Sequence, residues 1–480
     1  MNVVVVSNRV VRAKADEPIA GGLAAALLPM VRDSGAIWVG SSGQPADASR
    51  DSFARIEALG TGALATVDMP AKHYRGYYEG FANSALWPAL HSRPDLIHVT
   101  ADDYASYREI NAFMARALVR FDAAEAMFWI QDYHFLTLGA ALRRLGIERP
   151  LGFFLHTPWA DRRTMAAVPR HAELVEAMLA YDLIGFQTVE DRQNFEDYLQ
   201  VELGLNVVDG TVASDFGLTQ LATFPIGIDV EEFSARAAKA AGRVEVTRLR
   251  DSLHGAKLAL GVDRLDYSKG LANRMRAFDR MFEIEPSLKR QVSLLQVAVP
   301  SRGNIKAYRD LKAELAALVG EINGRHGEVD WMPIRYLNKG FSQLTLAGFY
   351  RLARVGLVTP LHDGMNLVAK EEYVAAQYPF DPGVLVLSSF AGAAKELDAA
   401  LIINPHDIDG MTRQIAAALV MNVEERRERW QSMVRKLKAA SLQNWFTDFL
   451  HTLASVRRAP LGAATRPLVR ELASRQAANQ

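Results

Sequence analysis

At 480 residues, 49% of them apolar and 23% charged, the chain is too long for one hydrophobic core and has the composition of a globular protein of two domains. Lysine plus arginine equal aspartate plus glutamate at 55 each, so no global field draws in nucleic acid or an anionic membrane, and an anionic ligand must be held by local cations. The absence of cysteine excludes disulfides, thiolate chemistry and cysteine-based zinc sites.

The apolar run Met1 to Arg9 is too short for a signal peptide and lacks a leading basic region; no later stretch approaches a membrane span, so a cytoplasmic protein is expected. Within that run, Val3 to Ser7 is β-branched and continuous, the pattern of a strand buried on both faces of a parallel sheet. Gly21-Gly22-Leu23 and a helical stretch from Ala24 to Val31 follow, making a strand–loop–helix unit. Strands are predicted at Ala36 to Val39, Ala126 to Ile130, Leu151 to Leu155 and Leu183 to Phe186, with helical stretches between them. A second series opens near residue 256. Strands are expected at Lys257 to Val262, Val292 to Val297, Val355 to Val358 and Gly383 to Leu387, and helices at Arg274 to Ile284, Ile305 to Ile322 and Leu367 to Ala376. The predicted fold is α/β of the GT-B kind: two Rossmann-like domains, 1–230 and 231–440, facing a cleft at the carboxyl ends of their strands. Helical spacing of Leu442, Trp445, Phe446, Phe449, Leu450 and Leu453 behind Ser441 predicts a last helix over 441–457 that packs back on the first domain. The stretch 458–480 is expected to be a mobile tail.

The loops after these strands carry the candidate chemistry. Arg264 and Lys269 lie in a loop closed by Gly270; a planar fork and a point charge suit a diphosphate, and although a bare R-x4-K is more often a solvated basic loop, its place after a buried strand favours the site. His362 to Glu371 turns at Gly364 and opens a helix whose free N–H groups suit phosphate or sugar oxygens. There Asp363 is placed to accept from sugar hydroxyls and Glu371 from a ribose, against the plainer reading of an N-capped helix. Gly22 allows close backbone approach, and Arg9 at the end of the first strand needs an anion. Asp132, His134 and His156 follow successive strands, where an acid–histidine pair is as readily a site as a structural feature. Asp407-Ile-Asp409 resembles a metal-binding D-x-D, but it reads as a turn and no metal or other cofactor is expected.

Taken together, these segments resemble the trehalose-6-phosphate synthase family of retaining glycosyltransferases. The matching words are Ser7-Asn8-Arg9, Gly21-Gly22-Leu23, Asn83 to Pro88, Asp132-Tyr133-His134, Gly152 to His156, Gly185 to Thr188, Arg264 to Gly270, Ser301-Arg302-Gly303, Tyr336-Leu337-Asn338 and Asp363 to Glu371, in order along the chain. The resemblance implies metal-independent transfer of glucose from a nucleotide sugar, usually UDP-glucose, to glucose 6-phosphate with retention. It implies that Gly22, Arg264 and Lys269 hold the diphosphate, and that Asp363 with the amides of Met365, Asn366 and Leu367 holds donor sugar and phosphate. Glu371 then takes the ribose, with Val297 and Phe341 near the base. His156 meets the transferred glucose and Asp132 lies where donor and acceptor meet, while Arg9, Tyr78, Trp87 and Arg302 surround the acceptor phosphate. A homo-oligomer is compatible with all of this.

The chain departs from the family at four places. Ser41 stands where a tryptophan is usual, Thr157, Trp159 and Ala160 alter the segment after His156, His362 replaces an arginine, and Glu371-Glu372 reads as a one-residue insertion. Ser41 keeps a second acceptor, glycerol 3-phosphate, in view. A non-catalytic sugar-phosphate-binding subunit is the remoter alternative, against which the intact Arg264, Lys269, His156 and Asp363 speak.

Overall fold

The computed structural model describes residues 2–10, 22–47, 53 and 55–456, with residues 22, 25 and 371–373 described in backbone alone. The expected tail at 458–480 and Gly21 lie outside the described residues. The chain divides into two compact units, one built on Leu23–Pro225 with the first strand and the residues from Gln443 on, the other on Ile226–Leu442.

Among the described residues the first unit holds β1 (Asn2–Arg9), β2 (Ile37–Ser41), β3 (Arg55–Leu59), β4 (Gly62–Val67), β5 (Ala126–Gln131), β6 (Leu151–Phe154), β7 (Leu183–Phe186), β8 (Val207–Val208), β9 (Thr211–Ser214) and β10 (Gly217–Thr223). They form one sheet in the order β3-β4-β2-β1-β5-β6-β7-β10-β9-β8. From β4 to β10 every pairing is parallel; β3, β9 and β8 add antiparallel edges. The valine run is the buried centre of β1, with Val5 and Val6 at 0% exposure, because a central parallel strand is covered on both faces.

The second unit has β11 (Lys257–Arg264), β12 (Val292–Val299), β13 (Ile334–Leu337), β14 (Val355–Val358), β15 (Val384–Ser388) and β16 (Leu401–Ile403), all parallel, in the order β13-β12-β11-β14-β15-β16. Counted within the unit this is 3-2-1-4-5-6, the doubly wound order, and its direction reverses between β11 and β14. Helices on the sheet supply the apolar core, led by Met275, Phe278 and Met281 of Leu271–Ile284 and by Met411 and Ile415 of Ile408–Val420.

The helix Leu442–Ser455 packs on the first sheet. Phe449 stacks on Trp129 at 4.7 Å and Trp445 tilts against the same ring at 4.8 Å. Two glycines make the trough for it: a Cβ on Gly152 would come within 2.7 Å of Phe449, and one on Gly185 within 2.8 Å.

The three helices expected in the second unit differ in extent or kind, and β3, β4, β8, β9, β10, β13 and β16 were not expected. The helix expected at Arg274 begins at Leu271, because Gly270 takes a left-handed φ of 65° and lets the turn close three residues early. The helix expected at Ile305 to Ile322 is Lys306–His326. The helix expected over Leu367 to Ala376 is instead a π-helix, Val368–Ala375. A π turn takes up an extra residue without breaking the helix, so it is compatible with the one-residue insertion expected at Glu371-Glu372.

Candidate active site

In the second unit the chemistry gathers where the strand order reverses. β11 ends at Arg264, and Asp266 caps the following turn by accepting the Ser268 main-chain N–H at 3.1 Å. This delivers Lys269 to Asp363, beyond β14, with Nζ donating to Oδ2 at 2.6 Å. Both side chains are almost covered, 11% and 13% exposed, so this is a low-dielectric pair. Asp363 also accepts from the Gly364 N–H at 3.1 Å and from Asn366 Nδ2 at 2.8 Å. Asn366 has a φ of 64° and its Oδ1 accepts the Ala369 N–H at 3.2 Å, so the segment is a strained turn clipped by its own side chains. Met365 is core, 3% exposed, and Leu367 caps the π-helix. The side chain of Glu371 lies outside the described residues.

Other expected residues of this unit sit differently. Val297 is wholly buried in β12, so its side chain offers a ligand no surface. Phe341 is half-buried edge-on to Phe349 at 5.4 Å, with Lys339 Nζ 5.1 Å above its ring. Arg302, with a φ of 46°, is drawn onto a buried carboxylate: its Nη1 donates to Asp266 Oδ2 at 3.2 Å and to the Tyr308 hydroxyl at 2.5 Å. The same hydroxyl donates to Asp266 Oδ2 at 3.2 Å; burial, then the Asp266 charge, pushes that phenol well above its ordinary range, so it keeps its proton.

Two buried networks escaped the sequence reading. Arg274, fully covered, donates to Asp263 at 2.6 Å, to Gln296 at 2.8 Å and to Thr359 at 3.0 Å, tying the strands on either side of the reversal together. Lys370, also fully covered, donates to the Ile226 carbonyl and to Glu396, each at 2.8 Å. Neither has a sequence signal beyond a cation on an otherwise apolar helical face.

In the first unit, Arg9 ends β1 exposed, its guanidinium against Gly43, where an added Cβ would meet Nε at 2.7 Å. Gly22 opens the helix Gly22–Ser34. Asp132 leaves β5 with a φ of 74°, and its Oδ1 accepts the His156 main-chain N–H at 3.3 Å. Tyr78 is stacked between Tyr74 at 5.7 Å and His134 at 5.9 Å, on an eleven-residue π-helix, Gly76–Leu86. Trp87 is 5% exposed against His91 and Tyr133. Ser41 is buried, its Oγ accepting the Gly43 N–H at 2.9 Å. Trp159 is wholly buried against Phe195 at 4.9 Å, so it is committed to the core.

His156 follows β6. Its Nε2 meets Gln131 Oε1 at 2.8 Å and its Nδ1 meets Gln187 Nε2 at 3.5 Å. The residue is only partly covered, yet its ring lies deep enough that burial pushes the imidazole down to about 3, and it is neutral at pH 7. Among the described residues no group of three or more His, Cys, Asp or Glu is placed to hold a metal. Asp407 and Asp409 are not a loose turn: Asp407 caps the helix Ile408–Val420 through the Gly410 N–H at 2.8 Å, and Asp409 pairs with Arg280 at 3.1 Å.

A doubly wound sheet with a lysine–aspartate pair at its reversal in one unit, and in the other a mostly parallel sheet whose strands end in arginine, acid and histidine, are the features of a glycosyltransferase of the GT-B class. Residues 3–455 match the profile of Glycosyltransferase family 20, and the chain belongs to that family. A trehalose-6-phosphate synthase of Sinorhizobium fredii is 41% identical over 457 residues, covering 94% of this chain and 98% of that one. Among solved structures, a UDP-forming α,α-trehalose-phosphate synthase of Burkholderia vietnamiensis superposes with a TM-score of 0.92 at 40% identity, covering 96% and 98% of the two chains. A Burkholderia xenovorans enzyme of the same name, in complex with glucose 6-phosphate, gives 0.91 at 41% identity over 94% and 100%.

Proposed function

We propose that this chain transfers glucose from UDP-glucose to glucose 6-phosphate with retention, releasing UDP and forming α,α-trehalose 6-phosphate. The observation that carries the reading is the Lys269–Asp363 pair, 2.6 Å apart at the reversal of a doubly wound sheet, where such folds receive nucleotides. Relatives named for this reaction, alike along nearly the whole chain, support it. A cytoplasmic location goes with it, because neither phosphorylated substrate crosses a membrane unaided.

In this reading Arg264, Lys269, Gly22 and the amides of Met365 to Leu367 receive the diphosphate, and negative charge growing on it as the glycosidic bond breaks meets cations fixed in advance. Asp363 turns from Lys269 toward the sugar, Glu371 takes the ribose, and Phe341 with the backbone at Val297 flanks the base. Arg9, Tyr78, Trp87 and Arg302 take the acceptor phosphate. Asp132 stands near both sugars, and His156, neutral at working pH, contacts the transferred glucose without serving as a base. The leaving phosphate then accepts the acceptor's proton.

The test is product analysis with UDP-, GDP- and ADP-glucose crossed against glucose 6-phosphate and glycerol 3-phosphate. Trehalose 6-phosphate from UDP-glucose is the expected result, and preference for glycerol 3-phosphate overturns the acceptor assignment.

A further inference from the structure

Gln131, His156 and Gln187 stand side by side at the carboxyl ends of β5, β6 and β7, three adjacent parallel strands of the first sheet. Both glutamines are covered, at 0% and 2% exposure, and they bracket the imidazole. A neutral imidazole has one N–H and one bare nitrogen, and which is which follows from the groups it faces. Gln131 Oε1 can only accept, so the proton sits on Nε2, which donates to it at 2.8 Å. Gln187 Nε2 can only donate, and it approaches Nδ1 at 3.5 Å, at the outer limit of a hydrogen bond. Both contacts therefore demand the same tautomer. The long Gln187 contact leaves the Nδ1 lone pair able to accept from something else.

We propose that Gln131 and Gln187 are positioning residues that lock His156 as a neutral Nε2–H imidazole, presenting Nδ1 as a hydrogen-bond acceptor to a hydroxyl of the transferred sugar. A bare acceptor recognises a hydroxyl and gives nothing to a phosphate, so the contact selects the sugar end of the donor. The ring's surroundings keep it that way. Gln131 faces it from β5, Phe154 from β6 at 4.7 Å, Gln187 from the end of β7, and Trp445 from the helix Leu442–Ser455 at 5.9 Å, none of them titratable. The Asp132 carboxylate accepts the main-chain N–H of His156, not a ring N–H. Burial alone accounts for the depressed imidazole, with no neighbouring charge to raise it. The inference rests on the reading that His156 meets the transferred glucose.

The tautomer is read directly by nitrogen NMR on histidine-labelled protein, with the His156 signal identified by its loss in His156→Asn. The expected result is a protonated Nε2 and a bare Nδ1, unchanged from pH 5.5 to 8.5; a proton on Nδ1, or titration within that range, overturns the proposal. Two variants test the consequence. Gln131→Met removes the acceptor, and the KM for UDP-glucose should rise about tenfold while UDP alone binds as to wild type. Unchanged KM, or equal weakening of UDP, counts against it. Gln131→Glu keeps the shape and sets a carboxylate beside Nε2–H, so His156 should begin to titrate and kcat/KM should gain an acidic limb that wild type lacks. A profile like wild type's overturns the proposal. The spectra do not depend on the acceptor: a wild type that makes no trehalose 6-phosphate refutes the proposed function while the tautomer and its titration, in wild type and in Gln131→Glu, still decide this one.

Discussion

Replacing Lys269 by methionine should separate the structural from the chemical part of the Lys269–Asp363 pair. At an effective dielectric constant of about 20, unit charges 2.6 Å apart attract by about 6 kcal/mol. Desolvating two nearly covered ions takes back several kcal/mol, so the intact pair contributes little net stability. Removing the lysine alone is another matter, because Asp363 stays covered and loses its charge-assisted donor while the Gly364 N–H and Asn366 Nδ2 remain. With those two donors retained, the loss should fall near the low end for a broken buried pair, about 3 kcal/mol in urea unfolding. The double variant Lys269→Met with Asp363→Asn removes both charges and should regain most of that stability. Its activity, followed by UDP release, should remain about a hundredfold down, because the cation proposed to meet the leaving diphosphate is still missing. A Lys269→Met enzyme with wild-type turnover would refute the leaving-group role. A double variant no more stable than the single would refute the argument from the stranded carboxylate.

Tyr308→Phe removes one of the groups that hold Arg302, and the KM for glucose 6-phosphate should rise severalfold with the KM for UDP-glucose unchanged; steady-state kinetics on both substrates checks it. Asp191 accepts from the Trp159 N–H and the Thr188 hydroxyl, and burial pushes its carboxyl up to about 6. The folded state thus holds this proton more tightly than the unfolded one, so stability present below pH 4 is lost as pH rises through 6, by about 3 kcal/mol. Asp191→Asn should therefore be stabilising at pH 8 and nearly neutral at pH 4, as read by thermal unfolding at both. Gly152→Ala forces a methyl group into Phe449 and Leu453 and should cost about 1–3 kcal/mol, seen as a lowered Tm. Transfer activity should survive exhaustive dialysis against EDTA, and loss restored by magnesium or manganese would expose a metal site.

The strands that could be read from sequence are those whose burial is uniform. Val3 to Ser7, Leu183 to Phe186 and Val355 to Val358 have no polar face and can only be central parallel strands. The edges were illegible. β3, β8 and β9 are short, half-exposed and mixed in composition, so nothing in their period separates them from loops. The π-helices at Gly76–Leu86 and Val368–Ala375 have residue types that fit an α-helix equally well, because the extra residue alters hydrogen-bond register and not composition. Candidate site residues stood out wherever one loop carried several, as at Arg264 to Gly270. What sequence could not show is pairing across the fold: Lys269 with Asp363, Arg302 with Asp266, His156 with two glutamines. Each joins segments whose proximity is decided by strand order.

The helix that fills the glycine trough of the first sheet also sets a schedule for synthesis. Leu23–Pro225 leaves the ribosome with Trp129 and Phe154 lacking the cover that Trp445 and Phe449 later provide, and about 200 further residues must follow before it arrives. At the usual pace of translation that is about 10–40 s during which an aromatic face stays open to water, to chaperones and to other nascent chains. A stop codon or cleavage ahead of Gln443 would remove the last helix with all that follows it and leave Ile226–Leu442 in place, yet Trp129 and Phe154 would never receive that cover. The cover of that aromatic face thus depends on the final helix, far in sequence from the strands it protects.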